Sequence, residues 1–183
     1  MINDSTTIGE AKQLLRQGFV DGILCPCCDQ LCKATKRRMR KPWAMLLNRI
    51  FIEHGQEWVH VVNAYSRDIG RLANDWRFLR HHGLLEMHPN DDASKTHSGY
   101  WRVTDLGRDF INDNATRIPA FVVVLFNQVI AESEETVSFL EVMSQPSRFD
   151  LADVRDLSGM SEDLIMALSL DLPNGRNATE FRP

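Results

Sequence analysis

The stretch "LRHHGLLEMHPNDDASKTHSGYWRVTDLGRDF", residues 79–110, holds two short apolar segments separated by a polar loop. "LLEMH" (84–88) and "GYWRV" (99–103) have the composition of β-strands, and the loop between them is typical of a hairpin connection. Thr104 is placed to cap a following helix, "DLGRDFIND" (105–113), and Gly83 suits the end of a preceding one. The stretch therefore predicts the end of a helix, a hairpin and a short helix, in that order.

Two helical patterns precede this hairpin. In the first, apolar residues at 43, 46, 47, 50 and 51 share one face, Pro42 precedes them and Gly55 ends the pattern. A β-like run, "EWVHVV" (57–62), separates it from the second pattern, which ends at Gly83. Plotted at about 100° per residue, the second pattern predicts a core-facing side of Ile69, Leu72, Ala73, Trp76 and Leu79, and an opposite side that contains Arg67, Arg71, Asn74, Phe78 and His81.

The order helix, short strand, helix and hairpin is that of a winged helix-turn-helix, in which the helix before the hairpin enters the major groove of DNA. The same order suits a protein-docking platform, because a fold does not fix a function. We predict an α+β fold with a winged helix-turn-helix core, an N-terminal cysteine or zinc loop, and a C-terminal extension of a β-hairpin plus helix. The predicted divisions are 1–42, 43–115 and 116–183.

Further helix and turn signals lie outside the predicted core. Residues 3–6 predict the cap of a helix over 7–17, and 161–172 predict one amphipathic helix. "FVVVLF-NQ-VIAES" (121–133) predicts a hairpin that turns at Asn127 and Gln128. Trp58, Trp76 and Trp101 occupy apolar-periodic positions, which favours the core over base stacking.

The net charge of −4 is unevenly distributed along the chain. Residues 1–85 carry 13 Lys/Arg and 8 Asp/Glu, whereas residues 86–183 carry 8 and 17. The basic segment "KATKRRMRK" (33–41) holds six cations and no acid. Such a run indicates phosphate contact, because neutralised phosphates release counterions, although a solvated helix face is the alternative interpretation.

All four cysteines lie in "GILCPCCDQLCK" (22–33). Cys25 and Cys28 form a CxxC pair and Cys32 is placed as a third zinc ligand, whereas Cys27 is the weakest candidate because adjacent residues do not easily face one ion. The fourth ligand would be one of these: His54, His60, His81, His82, Cys27 or a residue of another chain. Inert reduced thiols and redox chemistry are the alternatives, and the second lacks the βαβ surroundings of a thioredoxin-like site.

A zinc knuckle usually has Gly directly after its second cysteine, where this chain has Asp29. Asp tolerates unusual φ values better than most residues, so this departure weakens the knuckle without excluding it.

The expected compartment is the bacterial cytoplasm. The longest apolar run, "PAFVVVLF" (119–126), is too short to cross a bilayer, so no membrane association is expected. The N-terminus lacks the basic-then-apolar order of a secretory signal. In a reducing cytoplasm, clustered thiols indicate metal or redox chemistry rather than structural disulfides.

Three stretches together resemble a known group of proteins. "CPCCDQLCKATKRRMRKPWAMLL" (25–47) resembles the opening of phage and prophage proteins that pair a CPxC-type loop with a basic run, and "PAFVVVLFNQVIAESEETVSFLEVM" (119–143) resembles the hairpin that follows in the same proteins. "LRHHGLLE…GYWRVTDLGRDF" (79–110) resembles the wing region of MarR- and PadR-type winged helices. The resemblance covers about residues 22–143 and implies metal and DNA binding.

We predict a DNA-binding transcriptional or replication accessory factor with a structural zinc. An enzyme is not expected, since the sequence has no Gly-rich phosphate loop, HExxH or GxSxG. Base-edge contacts are assigned to Arg67, Arg71, Asn74 and Arg77, and phosphate contacts to Lys33, Lys36, Arg37, Arg38, Arg40 and Lys41.

Two further expectations concern protein partners. Phe78, opposite the predicted core, indicates a partner surface such as a second subunit, so a homodimer that binds duplex DNA is expected. The alternative from another class is a protein-binding module that inhibits or redirects a host or defence protein, with the acidic C-terminal half facing a basic partner.

Overall fold

The computed structural model describes residues 7–66, 75–90 and 98–145. Within them the protein is α+β, with short helices and small antiparallel sheets. The described chain divides into two units: residues 7–36 with 123–131, and residues 37–122 with 132–145 apart from the undescribed segments. None of the described helices is long and apolar enough to cross a membrane.

The first unit begins with helix α1 (Ile8–Gly18), whose start is fixed by a capping box. The Thr7 N–H donates to Glu10 Oε2 at 2.8 Å, and the Glu10 N–H donates to Thr7 Oγ1 at 3.3 Å. The predicted cap, residues 3–6, lies outside the described residues, and Thr7 caps the helix. The chain then forms the antiparallel strands β1 (Ile23–Leu24) and β2 (Leu31–Cys32).

Strands β3 (Thr35–Arg38), β8 (Phe121–Leu125) and β9 (Gln128–Glu132) form a three-stranded sheet in the order β3-β8-β9. The basic segment therefore begins as a strand, whereas a helix face was one of its two interpretations. The predicted hairpin is present, but its turn lies at Phe126 and Asn127, one residue earlier than expected. Both residues have positive φ, 49° and 63°, as a two-residue type I′ turn requires.

Helix α2 (Lys41–His54) opens the regular structure of the second unit. Pro42 lies in its first turn, where the missing N–H is not needed, and Gly55 ends it with φ 60°. The predicted apolar face is confirmed: Trp43, Leu46, Leu47 and Ile50 are buried and Phe51 packs against the core.

Short elements follow α2: strand β4 (Val59–His60), helix α3 (Val61–Ala64) and, after the gap at 67–74, a 3₁₀ helix (Trp76–Arg80). The second predicted helix falls partly on that gap, so its residues 67–74 lie outside the described residues. Where the chain is described again, Asp75 has φ 66°, so the 3₁₀ helix has its own start rather than continuing an α-helical phase.

Strands β5 (Leu85–Met87) and β6 (Tyr100–Val103) form the predicted hairpin, and β4 pairs with the other side of β6. All pairs are antiparallel, and the strand order is β4-β6-β5. Val59 lies opposite Trp101 and Leu85 opposite Val103, and these four side chains are buried in the core.

Thr104 caps helix α4 (Asp105–Asn112) as predicted. Its Oγ1 accepts the Gly107 N–H at 3.0 Å and donates to the Gly83 carbonyl at 2.6 Å, so it also ties the helix to the turn before β5. Gly107 is required by packing, because a Cβ there would lie 2.3 Å from the Leu84 carbonyl oxygen.

The described chain ends with β7 (Ile118–Pro119), which pairs with β10 (Thr136–Val137), and with helix α5 (Phe139–Ser144). Ser138 and Glu141 form a capping box for α5, and Arg117 donates to Glu141 Oε2 at 2.8 Å. The amphipathic helix predicted over 161–172 lies outside the described residues. The core of the second unit draws on α2, the β4-β6-β5 sheet, the 3₁₀ helix and these last elements.

Candidate functional sites

The cysteine segment is an antiparallel hairpin closed by backbone hydrogen bonds. Ile23 pairs with Cys32 and Leu24 with Leu31. At the loop, the Cys25 N–H donates to the Gln30 carbonyl at 2.8 Å and the Asp29 N–H donates to the Cys25 carbonyl at 2.9 Å. Asp29 adopts φ 57°, the left-handed conformation that Gly provides in a zinc knuckle. Asp29 therefore adopts a backbone conformation that Gly adopts more readily.

The Cys25 sulfur contacts both backbone and side-chain groups of this hairpin. It accepts backbone N–H groups from Cys27 and Cys28 and also contacts their thiols, and these hydrogen bonds lower the pKa of Cys25, the Cys27 N–H most of all. Burial, followed by the charge of Cys25, raises the pKa of Cys27 and of Cys32. Cys25 is thus the thiol that ionises more readily than Cys27 or Cys32.

The four thiols are free, and they differ in exposure: Cys27 and Cys28 are exposed, Cys25 is half-buried and Cys32 is buried. The Cys32 thiol also donates to the Gln30 carbonyl at 3.6 Å. Across the part of the chain that the structure describes, no group of three or more His, Cys, Asp or Glu side chains is arranged as a metal site. The thiols of Cys27, Cys28 and Cys32 are neighbours of the Cys25 sulfur.

The four histidines considered as a fourth ligand belong to the second unit and make contacts there. Three pack edge-on or tilted against aromatic rings: His54 against Tyr65, His60 against Tyr100 and His81 against Phe78. The fourth, His82, is buried.

Within the second unit, the arginines of the basic segment lie over aromatic rings. The guanidinium carbons of Arg37, Arg38 and Arg40 lie 3.9, 5.9 and 5.4 Å from the ring centroids of Phe78, Phe121 and Trp43 respectively. Stacking of this kind stabilises a fold by roughly 0.5–2 kcal/mol per pair. These cations therefore contribute to packing.

The lysines of the basic segment differ in exposure. Lys33 and Lys41 are half-buried, while Lys36, predicted to contact phosphate, is only 4% exposed. Burial at this level leaves the Lys36 ammonium little surface to offer to DNA in this conformation.

Phe78 has a different environment from the one predicted. It is partly buried, packs against the core and stacks on Trp43 with 6.1 Å between ring centroids. The Arg37 guanidinium lies over the Phe78 ring, and Arg37 also forms an ion pair with Asp75 at 3.6 Å. Phe78 thus gives no reason to expect a second subunit, and the homodimer stays a prediction without this support.

Of the four residues predicted to contact bases, only Arg77 is described. It is exposed on the 3₁₀ helix, and its guanidinium carbon lies 5.8 Å from the centroid of the Trp76 ring. Arg67, Arg71 and Asn74 lie outside the described residues. Trp76 and Trp101 are buried as predicted, whereas Trp58 is only half-buried and lies outside the core cluster.

The outer face of the β4-β6-β5 sheet carries polar and aromatic side chains that sequence analysis did not group together. His60 and Glu86 lie opposite Tyr100 and Arg102 in the strand register. Trp58 packs edge-on against His88 and under Arg102, which also pairs with Glu86. Successive side chains of a strand point to opposite faces of the sheet. The alternation of apolar with polar or aromatic residues in "WVHVV", "LLEMH" and "GYWRV" could therefore have identified this outer face from the sequence.

His82 is a buried titratable group in the second unit. Its Nε2 lies 3.2 Å from the Arg37 carbonyl, which it contacts as a donor in the neutral ring, and the Pro119 carbonyl also lies by the ring. No contact of hydrogen-bond geometry satisfies Nδ1 among the described residues. Burial lowers the pKa of His82 to about 4, so the ring is neutral at physiological pH.

Comparison of the chain with models of known protein families, with curated proteins and with solved structures finds no match. The resemblance to phage proteins and to MarR- and PadR-type wings stays a prediction.

Proposed function

We propose that residues 41–112 are a winged helix that binds duplex DNA. The observation that carries the proposal is the strand order β4-β6-β5. In a winged helix the strand after the first helix pairs with the last strand of the wing hairpin, which places that last strand in the centre. Here β4 follows α2 and pairs with β6, the second strand of the hairpin. A meander of three strands in sequence order would not have this pairing.

In this proposal the recognition element is the segment between β4 and β5. Arg67, Arg71 and Asn74, outside the described residues, and Arg77 keep their predicted role as base-edge or phosphate contacts. Arg77 is exposed, which supports its proposed role in contacting a base edge or a phosphate. The connection between β5 and β6 would be the wing, and its single lysine, Lys95, with His88 and His97, suits little minor-groove contact.

The basic segment takes a different role from the one first predicted. Arg37 and Arg40 lie over rings of the 3₁₀ helix and α2, and Arg38 lies over Phe121 of β8, so the three arginines help to position these elements. Lys33 and Lys41 are the members of the segment left to contact phosphate through their ammonium groups, since both are half-buried rather than buried. Substitutions in the arginines would therefore affect folding as well as binding.

The test compares two exposed arginines of the second unit. Arg77 is the proposed contact, whereas Arg49 on α2 is held by Glu53 at 2.9 Å and serves as the matched control. In a fluorescence-anisotropy assay with random duplex DNA, Arg77→Ala should reduce the slope of log affinity against log salt by about one unit. Arg49→Ala should leave it unchanged. Equal slopes for wild type and Arg77→Ala would show that Arg77 does not contact a phosphate of the DNA.

A second candidate function is protein binding, which one observation favours. Met45 and Ile52 lie seven positions apart on α2, hence on the same face, and are 47% and 73% exposed. An apolar stripe of this kind fits a partner's apolar surface. If the protein has no affinity for duplex DNA, Met45→Gln with Ile52→Gln should abolish capture of a partner protein. Unchanged capture by that double variant would exclude this face.

A further inference from the structure

The four thiols of the first unit form one cluster around a single sulfur. Cys25 Sγ interacts with the thiols of Cys27, Cys28 and Cys32, which lie on the loop and on the paired strand β2. All four cysteines are free, with no disulfide between them.

The backbone of the loop is already arranged for a metal-bound thiolate. Two N–H groups, of Cys27 and Cys28, point at Cys25 Sγ. The Asp29 N–H closes the turn on the Cys25 carbonyl, with Asp29 at φ 57°. N–H donors disperse the negative charge of a thiolate, and they orient the first ligand before the ion arrives.

The ligand chemistry selects the ion. Thiolates are soft donors that suit Zn²⁺, and a structural zinc takes four of them in a tetrahedron. We propose that the hairpin of residues 23–32 binds one zinc ion, with Cys25 and Cys28 as the knuckle pair, Cys32 as the third ligand and Cys27 as the fourth. Binding releases the thiol protons to solvent and leaves a tetrathiolate centre that fixes β1 against β2. This site is independent of the proposed DNA binding.

Cys27 is proposed as the fourth ligand because it lies in the same hairpin as the other three cysteines. The histidine candidates, His54, His60, His81 and His82, make their contacts in the second unit. Its thiol contacts Cys25 Sγ directly and it is exposed, so its side chain is free to rotate towards an ion. Adjacent side chains point in opposite directions when the backbone is extended. Residues 26–28 form a turn instead, so the side chains of Cys27 and Cys28 need not point apart.

The experiment uses the full chain, purified under reducing conditions without chelator. Elemental analysis should give about one zinc per chain. After removal of zinc, Co²⁺ should produce the visible bands and the sulfur-to-metal charge-transfer absorption of a tetrahedral thiolate centre. A folded, metal-free protein with four titratable thiols, or a Co²⁺ spectrum without the charge-transfer absorption, would overturn the proposal.

Single variants assign the ligands. Cys25→Ser, Cys28→Ser and Cys32→Ser should each reduce zinc content to below about a tenth of wild type, whereas Cys27→Ser should bind with affinity lowered by more than about tenfold. Leu31→Ala, next to Cys32 and 65% exposed, is the control that keeps wild-type metal content. Unchanged affinity in Cys27→Ser would overturn its role. If a variant fails to fold, the Co²⁺ spectrum of the wild type still tests whether thiolates bind the metal.

Discussion

The guanidinium carbon of Arg37 lies 3.9 Å from the centroid of the Phe78 ring, so a cation of the basic segment covers an aromatic side chain of the 3₁₀ helix. Phe78 in turn stacks on Trp43 of α2, with 22° between the ring planes. Arg37 also pairs with Asp75. A charged strand, a helix and the 3₁₀ helix are thereby joined around one stack, which makes Arg37 a structural residue as well as a cation.

Arg37→Ala should lower the free energy of unfolding by about 1–2 kcal/mol, because it removes the stacking on Phe78 and the packing of the half-buried side chain. Arg37→Lys should lose part of this, since an ammonium keeps the charge but not the planar contact. Urea unfolding measures both, with exposed Glu57→Ala, expected within about 0.5 kcal/mol of wild type, as the control. Equal stability of Arg37→Ala and wild type would contradict the structural role.

His82 should make the protein lose stability in mild acid. Burial lowers its pKa from 6.5 to about 4, so between these values the unfolded chain binds a proton that the folded chain does not. Stability is therefore complete above pH 6.5, falls as the pH decreases towards 4, and loses about 3 kcal/mol in total. The measurement is the free energy of unfolding against pH.

The variant for this test is His82→Gln, which retains a donor for the Arg37 carbonyl but does not titrate. Its stability should be lower than that of wild type at neutral pH, and its loss between pH 6.5 and 4 should be smaller by roughly 3 kcal/mol. Parallel pH profiles for the two proteins would show that His82 is not the group responsible.

Gly107→Ala should destabilise the second unit, although alanine is the better helix former. Its Cβ would lie 2.3 Å from the Leu84 carbonyl oxygen and 2.9 Å from Val103 Cγ1, so α4 must move away from the strands. The expected loss is about 1–3 kcal/mol in denaturant unfolding. Gly9→Ala in α1, where no atom lies closer than 3.9 Å to the new Cβ, should instead stabilise by about 0.5 kcal/mol. A neutral Gly107→Ala would contradict the close packing.

Helix α2 and the β5–β6 hairpin with its capped helix were predictable because local signals determine them. The spacing of Trp43, Leu46, Leu47 and Ile50 is that of one helix face, and Thr104 is a cap in sequence and in structure. The turn of the β8–β9 hairpin was placed one residue late, since Phe126 is a poor match for a position with positive φ. Such a residue gives no local signal for its conformation.

The environments of Phe78 and of the basic segment could not be read from sequence. The predicted face of Phe78 assumes a continuous α-helix, whereas the left-handed Asp75 and the 3₁₀ geometry change the rotation per residue. A run of cations has no apolar period, so nothing in "KATKRRMRK" reveals that the segment begins as a strand. Nor does it reveal that the arginines of the segment lie over rings that are 3 to 83 positions away in sequence. For the thiol hairpin, the sequence supplied the candidate ligands but not the direction of the N–H groups.

The most direct test of the central claim is the affinity of the wild-type protein for random duplex DNA, measured by anisotropy over a series of salt concentrations. A winged helix that contacts phosphates should bind at low salt, and log affinity should fall linearly with log salt, with a slope of about −0.9 per neutralised phosphate. Saturable binding with such a slope is the predicted result. No detectable binding even at the lowest salt concentration would contradict the DNA-binding function.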